Sequence, residues 1–176
     1  MISTIILNVN GINTEGVLER LKMLRKLHQL SVITILEPFS DSVQVQCFKA
    51  QLNLENSTSN CNGKIWDFWS NDIDCNNLDE DEQQITCNMK HNELQQQFLV
   101  YAKCKDHLGR TLWEKMIQQT TLNYNPWCTV SDYNVITFVE EKFGGVPYNL
   151  RKSMDFIAVV EVCGHLDVGF SCNKFT

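Results

Sequence analysis

The sequence predicts an α/β sandwich in which two mixed sheets lie between helical layers. Two observations carry this prediction. Short, almost wholly apolar runs at residues 2–7 and 32–36 flank a helical pattern, as parallel strands covered on both faces do. Residues 65–90 instead read as antiparallel strands separated by Asn, Asp and Ser turns, with apolar side chains at alternate positions in Ile85, Cys87 and Met89.

Length and composition fit one soluble core. The chain has 176 residues, of which 43% are hydrophobic and 20% charged, so we expect a single domain over residues 1–176. Its start, MISTIILNVN, lacks the basic residues and cleavage site of a secretory signal, and no apolar run is long enough to cross a bilayer. We therefore expect an intracellular protein, nuclear or cytoplasmic, that does not bind membranes.

The cysteines predict neither disulfides nor zinc. There are eight of them, with no CxxC pair, and several fall at apolar-patterned positions where a reduced thiol acts as a small hydrophobe. Cys87 with His91 and Cys163 with His165 are the nearest approaches to ligand pairs, and neither has a second half.

The net charge of −6 argues against a simple basic clamp on nucleic acid, because affinity for phosphates comes chiefly from Lys and Arg. It does not exclude a nuclease. A hydrolase that holds Mg²⁺ needs a carboxylate-rich pocket, and the metal then supplies the positive charge that meets the phosphate.

The opening of the chain predicts a β-α-β unit with two polar residues at one sheet edge. Asn13 or Thr14 is expected to cap the helix, and Asn8 and Glu37 leave corresponding ends of the two strands. A right-handed crossover would bring these ends side by side, where an amide and a carboxylate oxygen suit a hard divalent cation. The alternative is that Asn8 belongs only to a turn and Glu37 only leaves the sheet. The helix should carry its apolar face on the positions Val17, Leu21, Leu24 and Leu27.

The middle of the chain adds one more candidate strand end. Residues 53–63 are rich in Asn and Ser and predict a loop, and the four acids at 79–82 predict a solvated turn. Residues 98–102 read as a buried strand that closes with Tyr101. Asp106 is then expected to cap a helix that carries Leu108, Leu112 and Met116.

The segment PWCTVSDYN, residues 126–134, places Asp132 and Asn134 at the C-terminal mouth of a predicted buried strand. Open α/β sheets gather their chemistry at such mouths, although Asp and Asn also close strands for turn reasons. A final helix is predicted from about Ser153 to Gly164.

Four of these signals stand in a recognisable order: LNVNGIN at 7–13, ILEP at 35–38, VYA at 100–102 and SDYN at 131–134. Together they resemble the endonuclease/exonuclease/phosphatase superfamily, the DNase I-like nucleases, and most of all the endonuclease domain of plant LINE-type non-LTR retrotransposons. DEQQITC, EEKFGGVPYN and the end CGHLDVGFSCNKFT are similar to further landmarks of that domain. The resemblance implies an α+β, DNase I-like four-layered sandwich.

The resemblance also implies a Mg²⁺-dependent hydrolase, with Mn²⁺ as a substitute, that acts on DNA as a monomer without an organic cofactor. Glu37 would be the metal carboxylate, and Asn8 would touch the metal or orient its ligands. Tyr101 would contact the scissile phosphate, Asp132 would orient or deprotonate the attacking water, and Asn134 would stabilise charge on phosphorus.

Three departures from the family pattern bear on activity. Ser131 stands where Gly is usual, and Ala102-Lys103-Cys104 replaces the common Pro-Asn continuation. A downstream Asp and a terminal Ser-Asp-His would follow Thr176, and none of the four histidines matches that role. We therefore expect a fold incomplete at its C-terminus, a large loss of rate, an unpaired sheet edge and low solubility.

Four functions remain open on the sequence. The first is a retroelement endonuclease that nicks target DNA to prime reverse transcription. The second is a catalytically inactive retroelement-derived fragment that at most binds metal or a partner. A phosphomonoesterase or inositol-phosphate hydrolase on the same scaffold is the third. A doubly wound regulatory domain with Asp132 as phosphoacceptor is the fourth, and the antiparallel patterning at 65–90 counts against it.

Overall fold

A computed structural model describes residues 2–12, 16–91, 94–100, 106–122, 127–131, 133, 135–137, 144 and 148–166. The strands are β1 (Thr4–Asn8), β2 (Val32–Leu36), β3 (Asn56–Ser59), β4 (Ile65–Trp69), β5 (Asp74–Glu80), β6 (Gln84–His91), β7 (Leu94–Val100) and β8 (Trp127–Val130). The helices are α1 (Val17–His28), α2 (Ser42–Leu52), α3 (Asp106–Leu122) and α4 (Met154–Cys163), with a short 3-10 helix (Leu150–Lys152) before α4.

The first sheet has the strand order β1-β2-β4-β3. Strands β1 and β2 are parallel, with Asn8 opposite Leu36, and β4 runs antiparallel to both β2 and β3. The run VITIL of β2 is buried along its whole length because β2 lies between two strands and has a packed core on each face. The predicted parallel pairing of the first two strands is confirmed.

Helices α1 and α2 pack on one face of this sheet. Their cluster contains buried side chains from both helices, from β2 and β4, and from the connecting loops: Ile12, Leu21, Leu30, Ile33, Ile35, Val45, Phe48, Leu52, Leu54, Trp66 and Phe68. The ring of Trp66 packs edge-on against Phe48 and Phe68, with ring centroids 5.9 and 6.5 Å away. This aromatic core holds the β1–α1 and β2–α2 connections to the sheet.

The second sheet has the order β5-β6-β7-β8, antiparallel except for the parallel pair β7 and β8. Its strand β6 turns Ile85, Cys87 and Met89 toward the first sheet, where they form a common core with Val32, Leu36 and Ile65. All six side chains are at most 2% exposed. Two mixed four-stranded sheets therefore pack face to face, as the sequence predicts.

Several predicted boundaries are wrong. Residues 53–63 do not form a loop throughout, since β3 lies inside them and pairs with β4. Leu27 does not belong to the apolar face of α1, because its side chain is 68% exposed, while Leu18 packs on the core. Helix α1 begins after Gly16, whose φ of 90° suits glycine, and the predicted caps Asn13 and Thr14 lie outside the described residues.

Two further corrections concern β7 and β8. Strand β7 begins at Leu94, four residues before the predicted start. Strand β8 is not buried: its residues alternate between half-buried and exposed, since within the described residues it has a neighbour on only one side. The helix α2 is an addition to the predicted elements. Its N-cap Asp41 accepts hydrogen bonds from the amides of Val43 and Gln44 at 3.1 and 3.3 Å.

Residues 102–124 and 133–176 form a second compact unit, and the remaining residues form the first. In the second unit, Trp113 of α3 packs on Phe156 of α4 with ring centroids 4.9 Å apart, and Tyr133 lies 4.7 Å from Phe156. A Cβ on Gly109 would lie 3.1 Å from the Trp113 indole, a tight contact, so the close approach favours glycine. The single domain over residues 1–176 stays a prediction. No helix in the described part of the chain is long and apolar enough to cross a membrane.

Candidate active site

The loops that follow β1 and β2 are joined to each other by backbone hydrogen bonds at the C-terminal edge of the first sheet. The amide of Val9 donates to the carbonyl of Leu36 at 3.1 Å, and the amide of Gly11 donates to that of Glu37 at 2.8 Å. Ile12 continues the ladder by donating to the Pro38 carbonyl at 2.8 Å. The two predicted metal-site residues therefore leave neighbouring parallel strands into loops that hold each other in place.

Asn8 is fixed by its own turn. Its side-chain Oδ1 accepts a hydrogen bond of 3.2 Å from the amide of Asn10, the Asx-turn arrangement that lets an Asn replace a backbone acceptor. The residue is exposed at the end of β1. The turn holds one oxygen in a defined position at the sheet edge.

Glu37 is held from both sides. Its amide donates to the carbonyl of Lys64 at 2.9 Å, and its carbonyl accepts from Gly11. The side chain is half-buried. A carboxylate on a backbone fixed by two neighbouring segments is preorganised, which metal binding and catalysis both favour.

The same loops contain three non-glycine residues with left-handed backbones: Asn10 at φ 45°, Glu37 at 53° and Phe39 at 47°. Asparagine tolerates this region, but a bulky residue such as Phe is a genuine outlier there. Such conformations cost free energy and persist where the surroundings impose them, often at functional sites. Phe39 is nevertheless 56% exposed, so burial of its ring does not explain the strain.

Asn60 anchors the third segment of the site and was missed by sequence reasoning. It is 3% exposed, and its side chain joins the turn between β3 and β4 to the residue that follows β5. It accepts from the amide of Ile65 at 2.9 Å and donates to the carbonyl of Asp81 at 2.9 Å. These bonds position the turn that ends at Lys64, whose carbonyl receives Glu37. The only sequence signal was an Asn three residues before Gly63, typical of a turn.

The side-chain oxygens of Asn8 and Glu37 are chemically suited to bind a hard divalent cation. Glu37 supplies a carboxylate and Asn8 an amide oxygen, the ligand types that Mg²⁺ takes. Two protein ligands are common for Mg²⁺, which keeps several waters. Among the described residues, no group of three or more His, Cys, Asp or Glu side chains converges as a metal site, at this edge or at any other place.

The other three predicted residues, Tyr101, Asp132 and Asn134, lie outside the described residues. The strands that precede them are described. Strands β7 and β8 are parallel neighbours with Leu99 opposite Val130, and Tyr101 and Asp132 follow these two positions by two residues each. The roles of all five residues stay predictions.

A buried carboxylate that sequence reasoning also missed lies inside the sandwich. Asp67 of β4 is fully buried, its Oδ1 accepts a 2.8 Å hydrogen bond from Thr34, and its Oδ2 has no partner among the described residues. Burial raises the pKa of Asp67 to about 7, only partly offset by the Thr34 hydrogen bond. Cys87 faces the same core, and a hydrogen bond with Cys75 together with burial raises the pKa of its thiol. The signal was an Asp inside the apolar run IWDFW.

Comparison with known proteins identifies the fold. No protein-family model matches the chain, and no curated protein matches it either. Solved structures do match. The endonuclease domain of TRAS1, a telomere-specific non-LTR retrotransposon, superposes with a TM-score of 0.63 at 13% identity, over 92% of this chain and 71% of that one.

TDP2 from Caenorhabditis elegans also matches. It superposes with a TM-score of 0.57 at 14% identity, over 83% of this chain and 50% of its own, so the present chain spans half of that structure. Both neighbours have the architecture that the motif resemblance predicts. The chain therefore has the DNase I-like fold.

Proposed function

We propose that this protein is a divalent-metal-dependent phosphodiester hydrolase that nicks DNA, an endonuclease module of retrotransposon type. One observation carries the proposal: Asn8 and Glu37 leave neighbouring parallel strands into two loops locked together by three backbone hydrogen bonds. The fold match to a retrotransposon endonuclease domain supports the substrate class. The order of the four sequence motifs supports it independently.

In this proposal Glu37 and Asn8 hold Mg²⁺ or Mn²⁺ at the sheet edge. The metal, when bound, would polarise a phosphoryl oxygen and offset the charge that develops there. Asp132 would orient the attacking water and accept its proton, and Asn134 and Tyr101 would donate hydrogen bonds to the phosphate oxygens. The described residues contribute rigidity, since every loop that carries a metal ligand is tied to its neighbour by the main chain.

Phe39 would contact a nucleobase beside the metal. It lies two residues after Glu37, and a Cβ built on Gly11 would be 3.9 Å from its Cδ2, so the ring lies over the β1–α1 loop. Its ring is largely exposed although its backbone is strained. An exposed aromatic at the edge of a nuclease site offers a stacking surface that any base can use. We infer that the strain is retained because it presents this ring to DNA.

Supercoiled plasmid incubated with Mg²⁺ tests the proposal. The unaltered protein should convert it to the open-circular form, and Glu37→Gln should slow nicking about a hundredfold or more, as losing one group of a charge-stabilising site does. Glu19→Gln is the matched control, because Glu19 is an exposed partner of Lys22 and should leave the rate unchanged. Equal nicking by all three proteins would reject the site.

A catalytically inactive module that keeps the fold is the second candidate. Asp67 favours it, because its carboxylate is buried between the sheets, and its Oδ2 has no partner among the described residues. Such a group lowers stability and has no place in the proposed chemistry. Ser131 in place of the usual Gly points the same way. Absence of Mg²⁺-dependent nicking by a protein that is folded by circular dichroism would favour this candidate.

A further inference from the structure

A cavity of about 560 Å³ opens at the end of the first sheet opposite to the candidate active site. It lies beside Ser31, which precedes β2, and Ser70, which follows β4, whereas Glu37 follows the other end of β2. The last turns of α1 and α2 complete its wall. Its polar lining residues include Lys22, Arg25, Lys26, Gln29, Gln51 and Asn53. We call it the basal cavity.

The basal cavity is lined by three cations and by no Asp or Glu. Lys22 is engaged, since its Nζ lies 2.7 Å from Glu19. Arg25 and Lys26 form no hydrogen bond through their side chains and no ion pair within the described part of the chain. The Nε of Arg25 is fully buried there and has no partner in that part either. The other two guanidinium nitrogens are not enclosed in this way, so they are the donors that a ligand in the cavity can reach.

Basic residues often end a helix to offset its dipole, and α1 has Arg25, Lys26 and His28 in its last turn. Here the terminal carbonyls already have backbone partners. The amides of Gln29 and Leu30 both donate to the carbonyl of Arg25, the latter at 3.1 Å. At the end of α2, Asn53 and Leu54 cap the carbonyls in the same way. The cations are therefore not required to satisfy the helix ends.

We propose that the basal cavity binds a phosphomonoester of nucleotide size. The guanidinium of Arg25 offers the planar fork that pairs with two phosphate oxygens, and Lys26 adds a second positive charge. The side-chain carboxamides of Gln29 and Asn53 can bind the polar remainder of the ligand. The volume falls within the range of about 300 to 1,000 Å³ usual for small-molecule sites. The site does not depend on the proposed nuclease activity.

Isothermal titration of the whole chain tests this proposal, with EDTA present so that no metal bridges the ligand at Glu37. The probes are 2′-deoxyadenosine 5′-monophosphate, inorganic phosphate and 2′-deoxyadenosine. The monophosphate should bind most tightly and the nucleoside should not bind measurably. Arg25→Gln should lower the affinity for the monophosphate by about tenfold to a hundredfold, as expected for losing charge-assisted hydrogen bonds.

Arg20→Gln is the matched control, since Arg20 is exposed on the same helix and does not line the cavity. It should leave the affinity unchanged. If Arg25→Gln fails to fold, Lys26→Gln tests the same charge at an exposed position, with a several-fold weakening expected. Equal affinity of the unaltered protein and the folded Arg25 or Lys26 variant would overturn the proposal. So would equal binding of nucleoside and monophosphate, or tighter binding of a dodecamer lacking terminal phosphates, which would assign the cavity to a nucleic-acid backbone.

Discussion

Thr34 and Asp67 face each other across the central strands β2 and β4, and the Thr34 hydroxyl donates a 2.8 Å hydrogen bond to the Asp67 carboxylate in the core between the sheets. The second oxygen, Oδ2, is buried without a partner among the described residues. Burial in this position favours the protonated form of the carboxyl group over the ionised form. The core between the sheets therefore contains a carboxyl group whose protonation changes near neutral pH.

The pH dependence of stability follows from this carboxyl. Burial raises its pKa from 3.8 to about 7, so the folded state holds a proton that the unfolded state releases between these values. The free energy of unfolding should be highest below the unfolded pKa, fall as the pH rises through about 7, and stay lower above it. Asp67→Asn keeps the Thr34 hydrogen bond and removes the ionisation. It should stabilise the protein by up to about 4 kcal/mol near pH 8 and have little effect near pH 4.

Urea unfolding at both pH values measures this difference. Asp74→Asn is the control, because Asp74 is exposed on β5 and should not change the pH profile beyond a few tenths of a kcal/mol. An Asp67→Asn variant with the same pH profile as the unaltered protein would show that the carboxyl is not buried in the manner described.

Asn60 should be a stability determinant of the site. Asn60→Ala removes an acceptor for Ile65 and a donor for Asp81 at a buried position, so we expect a loss of about 2 to 3 kcal/mol of unfolding free energy. Nicking should fall as well, because the Lys64 carbonyl that receives the Glu37 amide follows this turn. Asn62→Ala is the exposed comparison and should cost less than 1 kcal/mol. Chemical denaturation measures the unfolding free energies of the two variants, and equal losses would show that Asn60 has no special role in stability.

Phe39 allows strain to be separated from DNA contact. Phe39→Gly relieves the left-handed backbone and should leave unfolding free energy unchanged or raise it by about 1 kcal/mol. It should also weaken DNA binding by about tenfold, since stacking on one base is worth about 1 to 3 kcal/mol. Phe39→Trp should retain binding. Fluorescence anisotropy of a labelled oligonucleotide measures the affinity, and equal affinities for Phe39→Gly and the unaltered protein would remove the ring from the DNA site.

The Mg²⁺ requirement for nicking should depend on the charge and the oxygen ligand at position 8. Asn8→Asp keeps an oxygen for the Asn10 amide and adds a negative charge, so the Mg²⁺ concentration for half-maximal nicking should fall. Asn8→Ala removes both the hydrogen bond of the turn and the metal-ligand oxygen, so the Mg²⁺ concentration for half-maximal nicking should rise. A titration in which the two variants shift in the same direction would place Asn8 outside the metal site.

Parts of the fold buried on both faces were predictable from the sequence. Strand β2 reads VITIL because a packed core lies on each side of it, and its predicted bounds match those of the structure. Strand β3 reads NSTS, which carries no apolar signal, and becomes a strand only because β4 supplies a partner at the sheet edge. Tertiary pairing of this kind leaves no local pattern.

Among the helices, too, features with a local cause were predictable and features that depend on tertiary packing were not. Helix α4 ends where Gly164 adopts φ 64°, as predicted, because glycine at a helix end has a local cause. Helix α2 was missed although Asp41 caps it and Val45, Phe48 and Leu52 are buried at helical spacing. Its other positions are mostly polar, and its amphipathic pattern was too weak to stand out without the core that it covers.

For the candidate site, the sequence predicted strand ends but not loop conformation. Asn8 and Glu37 were predicted to lie at neighbouring strand ends, and the parallel pairing of β1 and β2 places them there. The bridge made by Asn60 depends on a hydrogen bond to Asp81, which is 21 residues away in sequence. No local pattern specifies such contacts.

The most direct test of the proposed metal site is the rate of plasmid nicking as a function of Mg²⁺ concentration for the unaltered protein and for Glu37→Gln. We predict a saturable curve for the unaltered protein, and for the variant a curve displaced to much higher Mg²⁺ with a lower maximum. Superimposable curves from two folded proteins would contradict the account, because they would mean that the carboxylate at the end of β2 takes no part in holding the metal.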